Sequence, residues 1–201
     1  MRWINVTQSY RRFTSRELSL ILILSSLGGA VSVPIGYAGN LLKTVPGIPI
    51  GSSQLLSGLH VLWLVLAAAL VRKTWSGTMT GVLKGLVEAF LFSYHGVFVF
   101  IMSALEGLMV DLAFAVFGRK KPSSIYLVGG LSSASNVSVT QFIIAPQLPL
   151  FVFAFMYLAS FISGLFFAGY LGKHVLDIIS SSSLLSTEPG KRPEIDEDRD
   201  P

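Results

Sequence analysis

Two stretches of this chain, LKGLVEAF at residues 83–90 and ALEGLMVDLAFAVF at residues 104–117, carry charged side chains inside otherwise apolar runs. The four charged residues are Lys84, Glu88, Glu106 and Asp111. Because charged groups are costly in hydrocarbon, they are retained mainly where they face a bundle interior and serve a function. Around them, 52% of the residues are hydrophobic and 13% are charged, which predicts a polytopic membrane protein.

The apolar segments predict an all-α membrane bundle in a single domain of residues 18–178. A helix needs about 20 mostly apolar residues to cross the hydrocarbon, which leaves room for six spans. The predicted spans are residues 18–42, 54–71, 78–92, 97–117, 124–144 and 150–172. The third span is short for a full crossing. Pro34, in a glycine-containing run, predicts that the first span kinks or unwinds.

Basic residues lie almost entirely on one side of this arrangement. If the N-terminus is cytoplasmic, the outer side carries only Lys43, the third span carries Lys84, and every other Lys and Arg lies inside. This asymmetry predicts that both termini, residues 1–17 and residues 179–201, are cytoplasmic. The C-terminal segment is rich in serine, acidic residues and proline, a composition that cannot build a core, so we expect it to be disordered.

Position along the helices gives an expected partner for each charged residue. Lys84 and Asp111 each lie about six residues from the inner edge of neighbouring antiparallel spans, which predicts a buried structural ion pair. Glu88 and Glu106 lie nearer mid-depth and are then left with surplus negative charge. Either one carboxyl is protonated or a cationic ligand supplies the balance, and the residues alone leave both possibilities open.

Polar and aromatic side chains on the outer halves of other spans complete a predicted ligand site. A small flat ligand needs ring faces and a few oriented polar groups, and a cation gains from both rings and carboxylates. The candidate ligand-binding residues are Tyr37, Asn40, His60, Trp63, Glu88, Tyr94, Glu106 and Asn136. Taken singly, the three aromatic residues are also typical of interfacial anchors, and His60 is typical of a buried structural histidine.

Several classes of chemistry lack any motif in this chain. The absence of cysteine excludes disulfides, thiolate metal sites and cysteine nucleophiles. No HExxH metal motif, serine-nucleophile elbow or Walker A loop is present. We therefore expect neither an enzyme nor a metal or cofactor site. The net charge of +4 is typical of cytoplasmic loops in a chain this apolar, and we expect no nucleic-acid partner.

Small residues four apart on the first and last spans predict close helix contacts, because they let membrane helices approach. The last span carries such a ridge at Ser160, Gly164, Ala168 and Gly172. The first span carries three pairs, at Ser25 and Gly29, Ser26 and Ala30, and Gly28 and Ser32. Internal packing is one interpretation, and docking of another membrane subunit, with Ser26 and Ala30 at the contact, is the other.

Four stretches carry a resemblance to a known family: ALVRK at 69–73, LVEAF at 86–90, ALEGLMVDLAFAVF at 104–117 and ISGLFFAGYLGKHVLD at 162–177. They resemble the S component of energy-coupling factor (ECF) vitamin transporters, and within these the YkoE-like group linked to thiamine and hydroxymethylpyrimidine. That group usually shows a Gln-Gly pair and a following Glu where this chain has Glu106, Gly107 and Asp111.

The resemblance implies a substrate-binding subunit of an ABC vitamin importer in the plasma membrane of a prokaryote. It implies a transmembrane coupling subunit and two cytoplasmic ATPases as partners, with Ser26 and Ala30 on the docking surface. The alternative that the residues leave open is a self-sufficient, proton-coupled carrier of a small organic cation, in which Glu88 and Glu106 exchange protons.

Overall fold

The computed structural model describes residues 13–42, 52–91, 93, 96–119, 121 and 123–181. Within these residues every regular element is helical. The seven α-helices are α1 Ser15–Leu42, α2 Ser57–Val71, α3 Ser76–Phe90, α4 Phe98–Phe117, α5 Ser124–Val139, α6 Leu150–Ser163 and α7 Gly172–Ser181. A 3-10 turn at Ser52–Leu56 precedes α2, and π-helical segments extend α5 at Thr140–Ile144 and join α6 to α7 at Gly164–Leu171.

The predicted all-α membrane bundle is confirmed. Five helical segments of the described chain are long and apolar enough to cross a membrane: Ser15–Leu42, Ser53–Val71, Phe98–Phe117, Ser124–Ile144 and Leu150–Ser181. The remaining helix, α3, has only 15 residues and is the short third span that the sequence predicts.

Two expectations about the helix ends and interiors are corrected. The first helix does not unwind, since α1 runs through Pro34 without interruption, and the alternative of a kink stays a prediction. A proline inside a helix removes one backbone N–H, and in a membrane bundle that single loss need not end the helix. The predicted disordered tail starts at residue 179, but residues 179–181 form the end of α7. The remainder of the predicted tail lies outside the described residues.

Helix α2 lies at the centre of the bundle and contacts all six other α-helices. Its side chains are apolar around the whole circumference, which is typical of a helix enclosed by others. Val61, Leu64, Val65 and Ala68 are fully buried and form the main apolar core together with residues of α4 and α5. This core supports the helix ends that form the site described below.

Glycines bring neighbouring helices into close contact. A Cβ atom added to Gly85 of α3 would lie 2.9 Å from the Cα atom of Phe100 on α4. A Cβ atom added to Gly129 of α5 would lie 2.6 Å from the carbonyl oxygen of Gly164. The small-residue ridge of the last span, which contains Gly164 and the buried Ala168, therefore packs inside the bundle.

Asp111 does not pair with Lys84, so the predicted ion pair between them is wrong. Oδ1 of Asp111 accepts a hydrogen bond from Nη2 of Arg119 at 2.9 Å. Its carboxylate also accepts the backbone N–H groups of Gly77 at 3.2 Å and Thr78 at 2.7 Å, at the start of α3. A carboxylate is favoured at a helix N-terminus. Lys84 lies seven residues after Gly77 on α3, which corresponds to about 10 Å along the helix axis.

The same end of the bundle carries the start of α1. Thr14 and Glu17 form a reciprocal cap there, with hydrogen bonds of 2.7 and 3.3 Å between side chains and backbone N–H groups. The ammonium of Lys73, in the α2–α3 loop, lies 2.5 Å from the carboxylate of Glu17. Apart from Lys84, the basic residues of the described chain lie near this end, which we call the basic end.

Candidate functional site

A cavity of about 320 Å³ lies at the end of the bundle opposite the basic end. Its walls are formed by the last turns of α1, the first turns of α2, and facing halves of α3 and α4. The ends of α5 and α6 close the remaining side. This volume is at the lower end of the range for small-molecule sites, which begins at about 300 Å³. We call it the ligand cavity.

One wall of the ligand cavity carries a hydrogen-bonded cluster of Lys84, Glu88 and Ser103. The ammonium of Lys84 lies 2.5 Å from Oε1 of Glu88, one turn further along α3. The ammonium also donates to the hydroxyl of Ser103 at 3.2 Å, and that hydroxyl donates to Oε2 of Glu88 at 3.1 Å. Nδ1 of His60, on α2, lies 3.9 Å from the same carboxylate. Lys84 therefore neutralises Glu88.

Glu106 lines the same cavity from α4, but its partner is an amide group and not a charged side chain. Its Oε1 accepts a hydrogen bond of 3.1 Å from the side-chain amide of Asn136 on α5. The ion pairs found among the described residues do not include Glu106, although its side chain is only 2% exposed. With both carboxyls ionised and His60 neutral, Lys84, Glu88 and Glu106 leave the site one net negative charge.

Two amide oxygens in this wall lack a hydrogen-bond partner among the described residues. They are Oε1 of Gln54 and Oδ1 of Asn136, and both residues line the ligand cavity. Buried polar atoms are nearly always hydrogen-bonded in folded proteins. Two unpaired acceptors beside one cavity can be satisfied by a donor that reaches them, from an ordered water or from a ligand.

The structure brings together five of the predicted ligand residues. Asn40, His60, Glu88, Glu106 and Asn136 all line the ligand cavity, although they come from five different helices.

Two predicted aromatic residues do not line the cavity, so their assignment to it is corrected. Trp63 packs against α1, where a Cβ atom on Gly28 would lie 2.8 Å from its Cβ atom. Tyr37 is 47% exposed, beside the face of α1 that carries Gly36 and Asn40. Tyr94 lies outside the described residues. Among the lining residues that the structure describes, the imidazole of His60 is the only ring.

Three residues of the wall were missed or misassigned from the sequence. Ser103 lies three residues before Glu106 on α4, and this spacing places it on the same face as a buried acid, a signal that could have identified it. Lys84 lies four residues before Glu88, which already indicates a shared face. Gln54 is the first residue of the predicted second span and lies in the 3-10 turn before α2, and nothing in the sequence marks it as a ligand residue.

Residues 16–136 match the profile of a protein family described as "ABC-type cobalt transport system, permease component". The chain belongs to this family. The match spans more than half of the 201 residues. The family is one of transport proteins, and the helices of this chain are long and apolar enough to span a membrane. The chain is therefore a multi-pass membrane transport protein and not an enzyme.

A solved structure described as an S-component of an ECF transporter has the same fold as this permease-family chain. The TM-score is 0.78, with 22% sequence identity, and the match covers 87% of this chain and 89% of that chain. At this identity the comparison shows a shared fold. No curated protein matches the chain.

Proposed function

We propose that this chain is the substrate-binding subunit of an ECF-type ABC vitamin importer, and that its substrate is thiamine or a related pyrimidine or thiazole precursor. The observation that carries the proposal is the chemistry of the ligand cavity. Among the described residues, Glu106 has no ion-pair partner there, and the amide oxygens of Gln54 and Asn136 have no hydrogen-bond partner.

The charge of the site favours an organic cation with a single positive charge. Lys84 already neutralises Glu88, so Glu106, when ionised, is the carboxylate left for a positive partner. Thiamine carries one permanent positive charge, and in a poorly solvated site the attraction between such charges is much stronger than in water. Its aminopyrimidine ring also carries N–H donors that suit the free amide oxygens.

A bare metal ion fits the described residues less well, although the family description names cobalt. In the part of the chain that the structure describes, no three His, Asp or Glu side chains come together to hold a metal ion. The carboxylate of Glu88 is also already paired with the ammonium of Lys84, which leaves it less available as a ligand to a metal ion. These features support an organic substrate.

The proposed partners are a transmembrane coupling subunit and two cytoplasmic ATPases in a prokaryotic plasma membrane. The positions of the small residues on α1 support this proposal. Ser25, Gly28, Gly29 and Ser32 are buried against other helices, whereas Ser26 and Ala30 are exposed on the outer face of α1. An exposed small-residue pair permits close approach of a helix from another subunit.

Calorimetric titration of the detergent-purified protein with thiamine tests the proposal, together with mass spectrometry of any ligand that co-purifies. We expect thiamine to bind, and Glu106→Gln to weaken binding about 30-fold or more, because a buried charge loses its partner. Asp177→Asn, which removes an exposed acid at the basic end, is the matched control and should bind as the wild type does.

Two results would contradict the proposal. One is tight binding of Co²⁺ by the wild-type protein without any binding of thiamine or its precursors. The other is uptake of the cation into liposomes that contain this chain alone and a proton gradient, which would establish the self-sufficient carrier instead.

A further inference from the structure

A second cavity, of about 460 Å³, lies at the basic end of the bundle. The ends of α2 and α4, the α4–α5 loop, the start of α5 and helix α7 form its walls. Its charged lining consists of four basic side chains and one acidic side chain: Arg72, Arg119, Lys121, Lys173 and Asp177. A concave surface with this excess of positive charge concentrates anions.

Two of the four basic groups are already engaged with protein atoms. Arg119 donates to the Asp111 carboxylate at 2.9 Å and to the carbonyl oxygen of Ala68 at 2.8 Å. Lys173 lies 2.7 Å from the Asp177 carboxylate. Arg72 and Lys121 have no side-chain hydrogen bond or ion pair in the described chain, and both are exposed. They are the groups available to an anion.

The backbone of Arg72 adds an independent observation. Its φ of 55° lies in the left-handed region, at the position that ends α2, and its N–H donates to the carbonyl oxygen of Ala68. Glycine is the residue that adopts this conformation without steric penalty. Arginine adds a guanidinium group at the rim of the cavity in spite of that penalty.

The neighbouring walls indicate the source of the anion. Ala69, Leu70 and Leu176 line the cavity beside the basic groups and are partly exposed, and a soluble inorganic anion gains nothing from an apolar wall. The cavity also lies where α2 and α4 end and α5 begins, at the level of lipid headgroups in a bilayer. Basic pockets between membrane helices suit anionic headgroups.

We propose that this cavity binds the phosphate of an anionic phospholipid. Arg72 and Lys121 contact the phosphate, Arg119 forms the fixed rear wall, and the glycerol and acyl carbons lie against the apolar wall. With the N-terminus cytoplasmic, as the distribution of basic residues predicts, the lipid belongs to the inner leaflet.

Native mass spectrometry and thermal unfolding of the full chain test this proposal in dodecyl maltoside micelles. The micelles are doped with phosphatidylglycerol or phosphatidylcholine, and a third series receives inorganic phosphate. We expect retention and stabilisation by phosphatidylglycerol only. Arg72→Gln and Lys121→Gln should each weaken binding about fivefold, the effect of one basic residue near a membrane surface.

Arg16→Gln is the matched control, because Arg16 is an exposed arginine near the basic end that does not line the cavity, and its lipid affinity should not change. Arg72→Gly distinguishes the effect of the charge from the effect of the backbone conformation. Glycine adopts the positive φ without penalty, so this variant should have a higher unfolding temperature without lipid, but it should still bind lipid more weakly because the charge is lost. Equal binding of phosphatidylcholine, an equal loss in Arg16→Gln, or equal stabilisation by phosphate alone would overturn the assignment to an anionic lipid.

Discussion

The ammonium of Lys84 and the carboxylate of Glu88 lie 2.5 Å apart, one turn from each other on α3, and both side chains are buried. A buried charge is tolerated when it is paired, and both partners of this pair also bond to the hydroxyl of Ser103. The pairing is local to α3, so the charge of Glu106 on the facing helix is left for another partner.

Lys84→Met should therefore destabilise the protein, because it leaves Glu88 buried without a counter-charge. Loss of one partner of a buried ion pair costs about 3–5 kcal/mol. Thermal unfolding in detergent provides the measurement. The double variant Lys84→Met/Glu88→Gln should recover most of the loss, since an apolar and a neutral side chain then replace both charges. A double variant as unstable as the single one would show that the pair itself is not the cause.

Gln54→Leu should reduce substrate affinity without reducing stability. The Oε1 atom of Gln54 is buried at the ligand cavity and has no partner in the described part of the chain, so its removal relieves an unsatisfied polar group and also removes an acceptor for the ligand. We expect affinity to fall about tenfold, the equivalent of one hydrogen bond of about 1.4 kcal/mol.

Ser132→Ala provides the matched control for Gln54→Leu. The Ser132 hydroxyl is also buried and has no partner among the residues that the structure describes, but Ser132 does not line the ligand cavity. Its substitution should leave substrate affinity unchanged in the same titration. If both variants lose affinity equally, the unpaired oxygen of Gln54 is not part of a binding site.

The sequence predicts the fold class of this protein and the depth of its residues in the membrane well, because both depend on composition along the chain. Apolar runs define the spans, and the short α3 is visible in advance. The positions of Glu88 and Glu106 at one cavity also follow from their similar depth. These properties need no knowledge of how each helix is rotated.

Helix rotation and offset account for the errors. Depth alone suggested that Lys84 faces Asp111, whereas α4 is offset so that Asp111 caps the start of α3. Trp63 and Tyr37 have a suitable depth, but one faces α1 and the other faces outward. Which neighbour a helix face meets depends on contacts between distant segments, which a single sequence does not specify.

Gly129→Ala should destabilise the bundle, because the new methyl group would lie 2.6 Å from the carbonyl oxygen of Gly164 and would force α5 away from the segment that follows α6. Overpacking of this kind costs about 1–3 kcal/mol. Gly36→Ala is the control within α1, since a Cβ atom there meets no atom of the described chain within 4 Å. That control should be neutral or slightly stabilising in thermal unfolding. Equal effects of the two substitutions would contradict the close contact at Gly129.

Single cysteines should reveal which end of the bundle faces the cytoplasm, because the chain contains no cysteine of its own. Gln147→Cys places a thiol in the exposed α5–α6 loop at the ligand-cavity end, and Ser123→Cys places one in the exposed α4–α5 loop at the basic end. Basic residues accumulate on the cytoplasmic side of membrane proteins. A membrane-impermeant maleimide should therefore label Gln147→Cys in intact cells and Ser123→Cys only after permeabilisation. The reverse pattern would place the ligand cavity on the cytoplasmic side, where it could not collect a solute from outside, and would contradict import through this site.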